Sequence, residues 1–135
     1  MKNQVQLITY VDRLGGGDID TLRGLLADEL HGLFGGVHLL PFFHPIDGAD
    51  AGFDPIDHNR VDPRLGDWAA VQRLASDVDV MADVIVNHMS SDSRQFQDWR
   101  AHGHASPYAG LFLTFDAVFP QGAREADLMA LYRPR

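Results

Sequence analysis

The chain has 135 residues, 45% of them hydrophobic, which is enough to bury one core and too short to favour two domains. A formal net charge of -8, with no run of like charges, disfavours a phosphate-backbone partner, so no nucleic acid is expected as a ligand. The absence of cysteine removes disulfides and thiolate metal sites and fits a reducing compartment. The apolar run in MKNQVQLITYVDRL is too short and too polar for a signal segment or a membrane span, so a soluble, cytoplasmic protein with no membrane partner is expected.

Val5 to Tyr10 reads as a first β-strand, followed by the Gly15-Gly16-Gly17 breaker and by Asp18, a helix N-cap. Ile19, Leu22, Leu26, Leu30 and Leu33 recur at steps of three and four and predict one buried helical stripe, with Gly32, Gly35 and Gly36 as the stop. Val37 to Phe43 is a short apolar run that predicts a buried strand whose pairing is interrupted near Pro41. A long polar loop is expected from about His44 to Gly66. Asp67 then caps a second helix with Trp68, Val71, Leu74, Ala75 and Val78 on one face, and Val80 to Val86 predicts a third strand. The order β-α-β-α-β implies a parallel sheet with right-handed crossovers. Beyond Ser90 the pattern changes to a polar stretch, a short helix around Arg94 to Arg100, the aromatic patch LFLTFDAVF and a helix from Arg124 to Tyr132.

In parallel α/β proteins the carboxyl ends of the strands carry the ligand-binding loops. Asn87 and His88 end the third strand, and the His44 to Gly66 loop leaves the second strand on the same rim, so their polar groups can converge. That loop is far longer than the usual ~2–6 residues of a βα connection, which marks it as functional. Its stretch DGADAGFDPIDH holds Asp47, Asp50, Asp54, Asp57 and His58 beside Phe53. Carboxylates and an aromatic ring suit a sugar: a charged acceptor for a hydroxyl is worth roughly 1.5–3 kcal/mol against about 1 for a neutral pair, and the ring covers the apolar C–H face. A metal is the rival chemistry, with His44, His58 and His88 as ligands, although the spacing fits no EF-hand or zincin pattern. The acids also fit ordinary turns, His88 could cap backbone groups, and Asp83, if buried, needs a partner.

DVIVNH resembles the first signature region of the α-amylase-type glycoside hydrolase family, with Asp83, Asn87 and His88 at the matching positions. QLITYVDRLG, GVHLLPFFHPIDGADAGFDPIDH, VDPRLGDW, VNHMSSDSRQFQDW and VFPQGAREADLMALYRPR together resemble its sucrose phosphorylase branch along essentially the whole chain. The resemblance implies a (β/α)8 TIM barrel. It also implies a retaining double displacement that moves glucosyl from sucrose to an aspartate and then to inorganic phosphate, releasing fructose and α-glucose 1-phosphate. By position, Asp50 resembles the residue that binds glucosyl hydroxyls, Phe53 the aromatic platform, and His88 the imidazole that hydrogen-bonds the glucose. Asp83 and Asn87 are expected to brace the strand end. The branch resembles a metal-free one, so neither metal nor cofactor is expected.

The nucleophilic aspartate, the acid/base glutamate and the third clamping aspartate of this family follow later strands, and none of those motifs occurs here. No catalytic residue is therefore expected in this chain, because a retaining mechanism needs two carboxyl groups about 5–5.5 Å apart across the scissile bond. A closed barrel of this kind typically takes ~250 residues. The expected architecture is thus the first three βα units of the barrel plus the start of the insertion, domain B, that follows strand 3. Residues 1–89 would be the N-terminal part of the barrel and 90–135 the truncated start of the insertion. Such a fragment would be inactive by itself, with an aggregation-prone edge where the fourth strand belongs. The alternatives are a freestanding α/β module that binds a sugar or metal without catalysis, and a metal-dependent hydrolase built on His44, His58 and His88.

Overall fold

The computed structural model describes residues 4–47 and 51–131. Strand β1 (Gln6–Thr9) leads to helix α1 (Ile19–Ala27) and strand β2 (Gly36–Leu39). The antiparallel pair β3 (Phe43–Pro45) and β4 (Pro55–Val61) comes next, then α2 (Trp68–Asp77) and β5 (Asp79–Ala82). Strands β1, β2 and β5 form one parallel sheet in the order β1-β2-β5. This is the expected β-α-β-α-β arrangement. Helices α3 (Arg94–His102), α4 (Phe115–Val118) and α5 (Glu125–Leu131) follow. No helix among the described residues is long and apolar enough to cross a membrane.

Both helix starts follow from their caps. The Asp18 carboxylate accepts from the Thr21 amide at 2.7 Å, and Asp67 accepts from the Ala70 amide at 2.8 Å, each satisfying a donor that the first helical turn leaves open. Helix α1 stops earlier than its apolar spacing suggests. The Leu30 amide donates to the Leu25 carbonyl and Gly32 takes φ +76, so the helix closes at Ala27; Leu30 still packs against the core, while Leu33 is exposed.

The core is built where the two helices meet one face of the sheet. Ile19, Leu22 and Leu26 from α1, Ala70 and Leu74 from α2, and Val37 and Leu39 from β2 are buried there, with Leu7 and Val80 packed against them. These sheet residues alternate with Ile8, His38 and Met81, which lie in register across the opposite face, where Ile8 is 62% exposed. Two ion pairs cross between the helices: Arg23 to Asp77 at 2.6 Å and Arg73 to Asp20 at 2.5 Å. Hydrogen bonds from those guanidinium groups hold both carboxyls below the usual range.

Three further features differ from expectation. The third strand ends at Ala82 instead of Val86; the Asp83 amide still donates to the Leu39 carbonyl at 3.0 Å, and then the chain leaves the sheet, with Val84 and Val86 exposed. The reason lies in β2, whose continuation reaches Pro41, a residue with no N–H to extend a ladder. Within the long loop the chain forms the β3–β4 ribbon, whose register shifts on either side of His44. Trp68 is 43% exposed; its Nε1 donates to the Asn59 carbonyl at 2.8 Å and the ring meets Phe42 edge-on, so it seals the ribbon from outside the core.

The chain divides into two compact units, Met1–Gln97 and Asp98–Arg135. Within the second, Trp99 packs on Phe112 with centroids 5.4 Å apart, Ser106 donates to Asp98 at 2.6 Å, and Phe115 meets Phe119 at 5.3 Å. Thr114 caps α4 by accepting from the Ala117 amide. The helices expected near Arg94 and Arg124 are both present; Tyr132 lies outside the described residues.

Candidate functional site

Two strand exits meet at one rim. The exit of β2 runs through Pro41 into the β3–β4 ribbon, and the exit of β5 runs through residues 83–90. Three hydrogen bonds lace them together. His88 Nε2 lies 2.6 Å from the Phe53 carbonyl, the Ser90 amide donates to the Pro55 carbonyl at 2.9 Å, and His58 Nε2 lies 2.7 Å from the Ile85 carbonyl. Since a carbonyl only accepts, both imidazoles donate from Nε2 in this geometry. Ile85 and Ser90 are buried, whereas the His88 ring is exposed and Phe53 is 47% exposed.

The structure therefore brings Phe53 and His88 together. Contact runs through the Phe53 main chain, which leaves its ring open. Phe53 is held by the turn before it: Ala51 at φ +58 and Gly52 at φ +81 are both left-handed, and Gly52 backs onto the Pro41 carbonyl so closely that an added Cβ would stand 2.7 Å from that oxygen. Asp50, the third expected sugar contact, lies outside the described residues. Asp83 is half-buried and anchored through its amide at the end of β5; Asn87 is exposed beside His88.

Asp62 was not among the expected site residues, and it anchors the turn that follows β4. Its side chain is only 5% exposed, paired with Arg64 through Nη2 and through Nε at 3.0 and 3.1 Å, and it also accepts from the Arg64 amide at 2.9 Å. Burial pushes this carboxyl up, but the Arg64 hydrogen bonds and charge, with His44 nearby, outweigh it and hold the group below its ordinary value. Asp and Pro two and one residues before Arg form a local side-chain-to-backbone turn, and that pattern was the available clue.

Two hollows adjoin this anchor. One of about 220 Å³ is lined by Tyr10, Asp12, Pro41, Gly52, Asp62 and Arg64 among others, and touches the turn that precedes Phe53. The second, of about 340 Å³, lies over His44, Ile46, Asp47 and Arg64. Neither lining includes Phe53 or His88. Among the described residues no three His, Asp or Glu side chains group as metal ligands, so His44, His58 and His88 do not converge and the metal-hydrolase alternative loses its site.

Strand exits that carry the loops with Phe53 and His88, on a parallel sheet with its crossover helices on one face, define an α/β fold with its candidate site at the carboxyl ends of the strands. The model of the alpha amylase catalytic domain matches residues 21–128, and the chain belongs to that family. It is 63% identical over all 135 residues to sucrose phosphorylase of Agrobacterium vitis and 57% identical over 135 residues to sucrose phosphorylase of Bifidobacterium adolescentis. The crystal structure of sucrose 6F-phosphate phosphorylase from Thermoanaerobacter thermosaccharolyticum superposes with a TM-score of 0.77 at 42% identity, covering 86% of this chain and 23% of that one. The expected resemblance to the sucrose phosphorylase branch thus holds over the full chain. The chain spans 28% and 27% of the length of the two sucrose phosphorylases it matches.

Proposed function

We propose that this chain carries part of the donor-glucosyl subsite of a sucrose phosphorylase, in which sucrose and inorganic phosphate are converted to α-glucose 1-phosphate and fructose with retention. β1, β2 and β5 are then the first three strands of a (β/α)8 barrel. Residues 1–89 belong to that barrel and 90–135 begin the domain B insertion. The face of the sheet carrying Ile8, His38 and Met81 would look into the barrel, which is consistent with the exposure of Ile8 and Met81.

The observation that carries the reading is the His88–Phe53 contact, which sets two residues of the matched motifs side by side at neighbouring strand exits. Phe53 offers its ring to the C–H face of the glucosyl unit, Asp50 accepts from its hydroxyls, and His88 binds another. Asp83 and Asn87 brace the strand end. With Nε2 of His88 committed to the Phe53 carbonyl, Nδ1 is the ring atom left for a sugar hydroxyl. These are positioning contacts, and fixing the donor in a reactive pose is worth much of a barrier. The nucleophile and acid/base carboxylates are supplied from outside this chain, no metal or cofactor takes part, and the enzyme works in the cytoplasm.

The test is phosphate-dependent sucrose cleavage. The 135-residue chain alone should give no turnover, and measurable turnover would refute the assignment of the catalytic carboxylates elsewhere. In a polypeptide of the relatives' length that contains this chain, His88→Ala and Phe53→Ala should each lower kcat/KM by at least ~100-fold while leaving the thermal midpoint nearly unchanged.

A further inference from the structure

The ring of His58 makes a contact that the proposed sugar-binding groups do not use. It sits at mid-strand in β4, half-buried, with the Phe43 ring 6.0 Å away and tilted by 41°. Its Nε2 lies 2.7 Å from the carbonyl of Ile85. That carbonyl stands three residues beyond the end of β5 at Ala82, where the parallel ladder has no further amide to give, and the Ile85 side chain is buried. A main-chain acceptor in such a place needs a donor, and the imidazole takes the place of the missing strand.

Three residues further on, the exit segment brings His88 against the Phe53 carbonyl, on the same ribbon that bears His58. We infer that His58 is a positioning residue: it pins the exit of β5 to the β3–β4 ribbon and thereby sets His88 opposite Phe53. The ring of His58 does not face the sugar in this scheme and acts only through the segment it holds. The consequence for sugar binding rests on the donor-subsite reading, whereas the pin itself does not.

Side-chain nitrogen NMR of the 15N-histidine-labelled chain separates these. In the wild-type protein at neutral pH, His58 should carry its proton on Nε2. An Nδ1–H tautomer would overturn the proposal without any variant. His58→Phe keeps a ring against Phe43 and removes the donor, so the His88 Nε2 proton should exchange at least ~10-fold faster while the α1 and α2 amides keep their protection. His58→Gln, whose amide nitrogen can occupy the Nε2 position, should restore slow exchange at His88. Unchanged His88 exchange in His58→Phe would also overturn the pin. Sucrose binding by the same variants of a polypeptide of the relatives' length that contains this chain gives the second readout. Weaker binding by His58→Phe than by wild type supports the consequence for the sugar. Binding by neither counts against the donor-subsite reading and leaves the pin to stand on the exchange data.

Discussion

Gly52→Ala tests whether the turn before Phe53 is as tightly built as its geometry indicates. Gly52 has φ +81, and an added Cβ would meet the Pro41 oxygen at 2.7 Å, its carbonyl carbon at 3.2 Å and its Cβ at 3.3 Å. A left-handed backbone costs a residue with a Cβ about 1–2 kcal/mol. The obstructing atoms are main chain at the exit of β2, so relief requires a backbone shift, an overpacking cost of about 1–3 kcal/mol. Loss of unfolded-state freedom returns about 0.4–1 kcal/mol. The net loss is roughly 2–4 kcal/mol, which at a urea slope of about 1–3 kcal/mol/M lowers the unfolding midpoint by roughly 0.7–4 M. Ala51→Gly is the control. At φ +58 it relieves a similar backbone cost, which equals or exceeds the unfolded-state entropy it adds, so its midpoint should not fall by more than about 0.3 M. A midpoint for Gly52→Ala within that same margin would show that the turn yields freely, and that Pro41 does not set the height of the Phe53 platform.

Asp62→Asn should destabilise the first unit by about 1–3 kcal/mol at neutral pH, since it leaves Arg64 without its buried anionic partner. Because the folded carboxyl is held below its unfolded value of about 3.9, the wild-type pair contributes fully above that pH and is lost as pH falls through the folded value. The gap between wild type and variant in urea titrations should therefore narrow below about pH 4. Arg73→Gln removes one of the two crossing pairs between α1 and α2, which are exposed and so open to screening. Its effect on the thermal midpoint at low salt should vanish at about 1 M salt, where the screening length falls to about 3 Å, and an effect that persists would assign Arg73 a packing role.

The parallel order of the first unit was legible because its signals are local. Asp18 and Asp67 are caps read directly from residue type, and Ile19, Leu22, Leu26 and Leu74 carry the helical period within one or two turns. The extent of the third strand was not legible. Residues 83–86 are as apolar as those before them, but whether they pair depends on the neighbouring strand, which reaches Pro41 and stops offering amides. The β3–β4 ribbon escaped for a related reason: Pro45, Pro55 and the shifted register erase the alternation by which a strand is recognised. Trp68 has the spacing of a core residue, yet its indole donor finds a carbonyl on β4 and keeps the ring at the surface. His88 was legible from its place at a strand exit and Phe53 from the acids around it, while their roles came through resemblance; their contact had no signature of its own, because a main-chain carbonyl accepts regardless of the side chain it belongs to.

That choice of partner has a consequence for how such a rim can work. His58, His88 and the Ser90 amide all donate to main-chain carbonyls on the opposite segment, and Trp68 does the same to Asn59. The scaffold is thereby closed with acceptors that every residue type possesses. Side-chain faces at the rim are spared, above all the Phe53 ring, which a ligand can use. The apolar burial between α1, α2 and one face of the sheet continues to the rim through Phe42, Phe43 and Val61. Substitutions that keep the backbone in place, such as Phe53→Leu, should thus alter ligand contact without loosening the His88 link. Substitutions that move the backbone, such as Gly52→Ala, should disturb both together. The two classes differ in whether the His88 Nε2 proton stays slow to exchange, and a Phe53→Leu protein in which that proton exchanges freely would show that the ring, and not the carbonyl, is what holds His88.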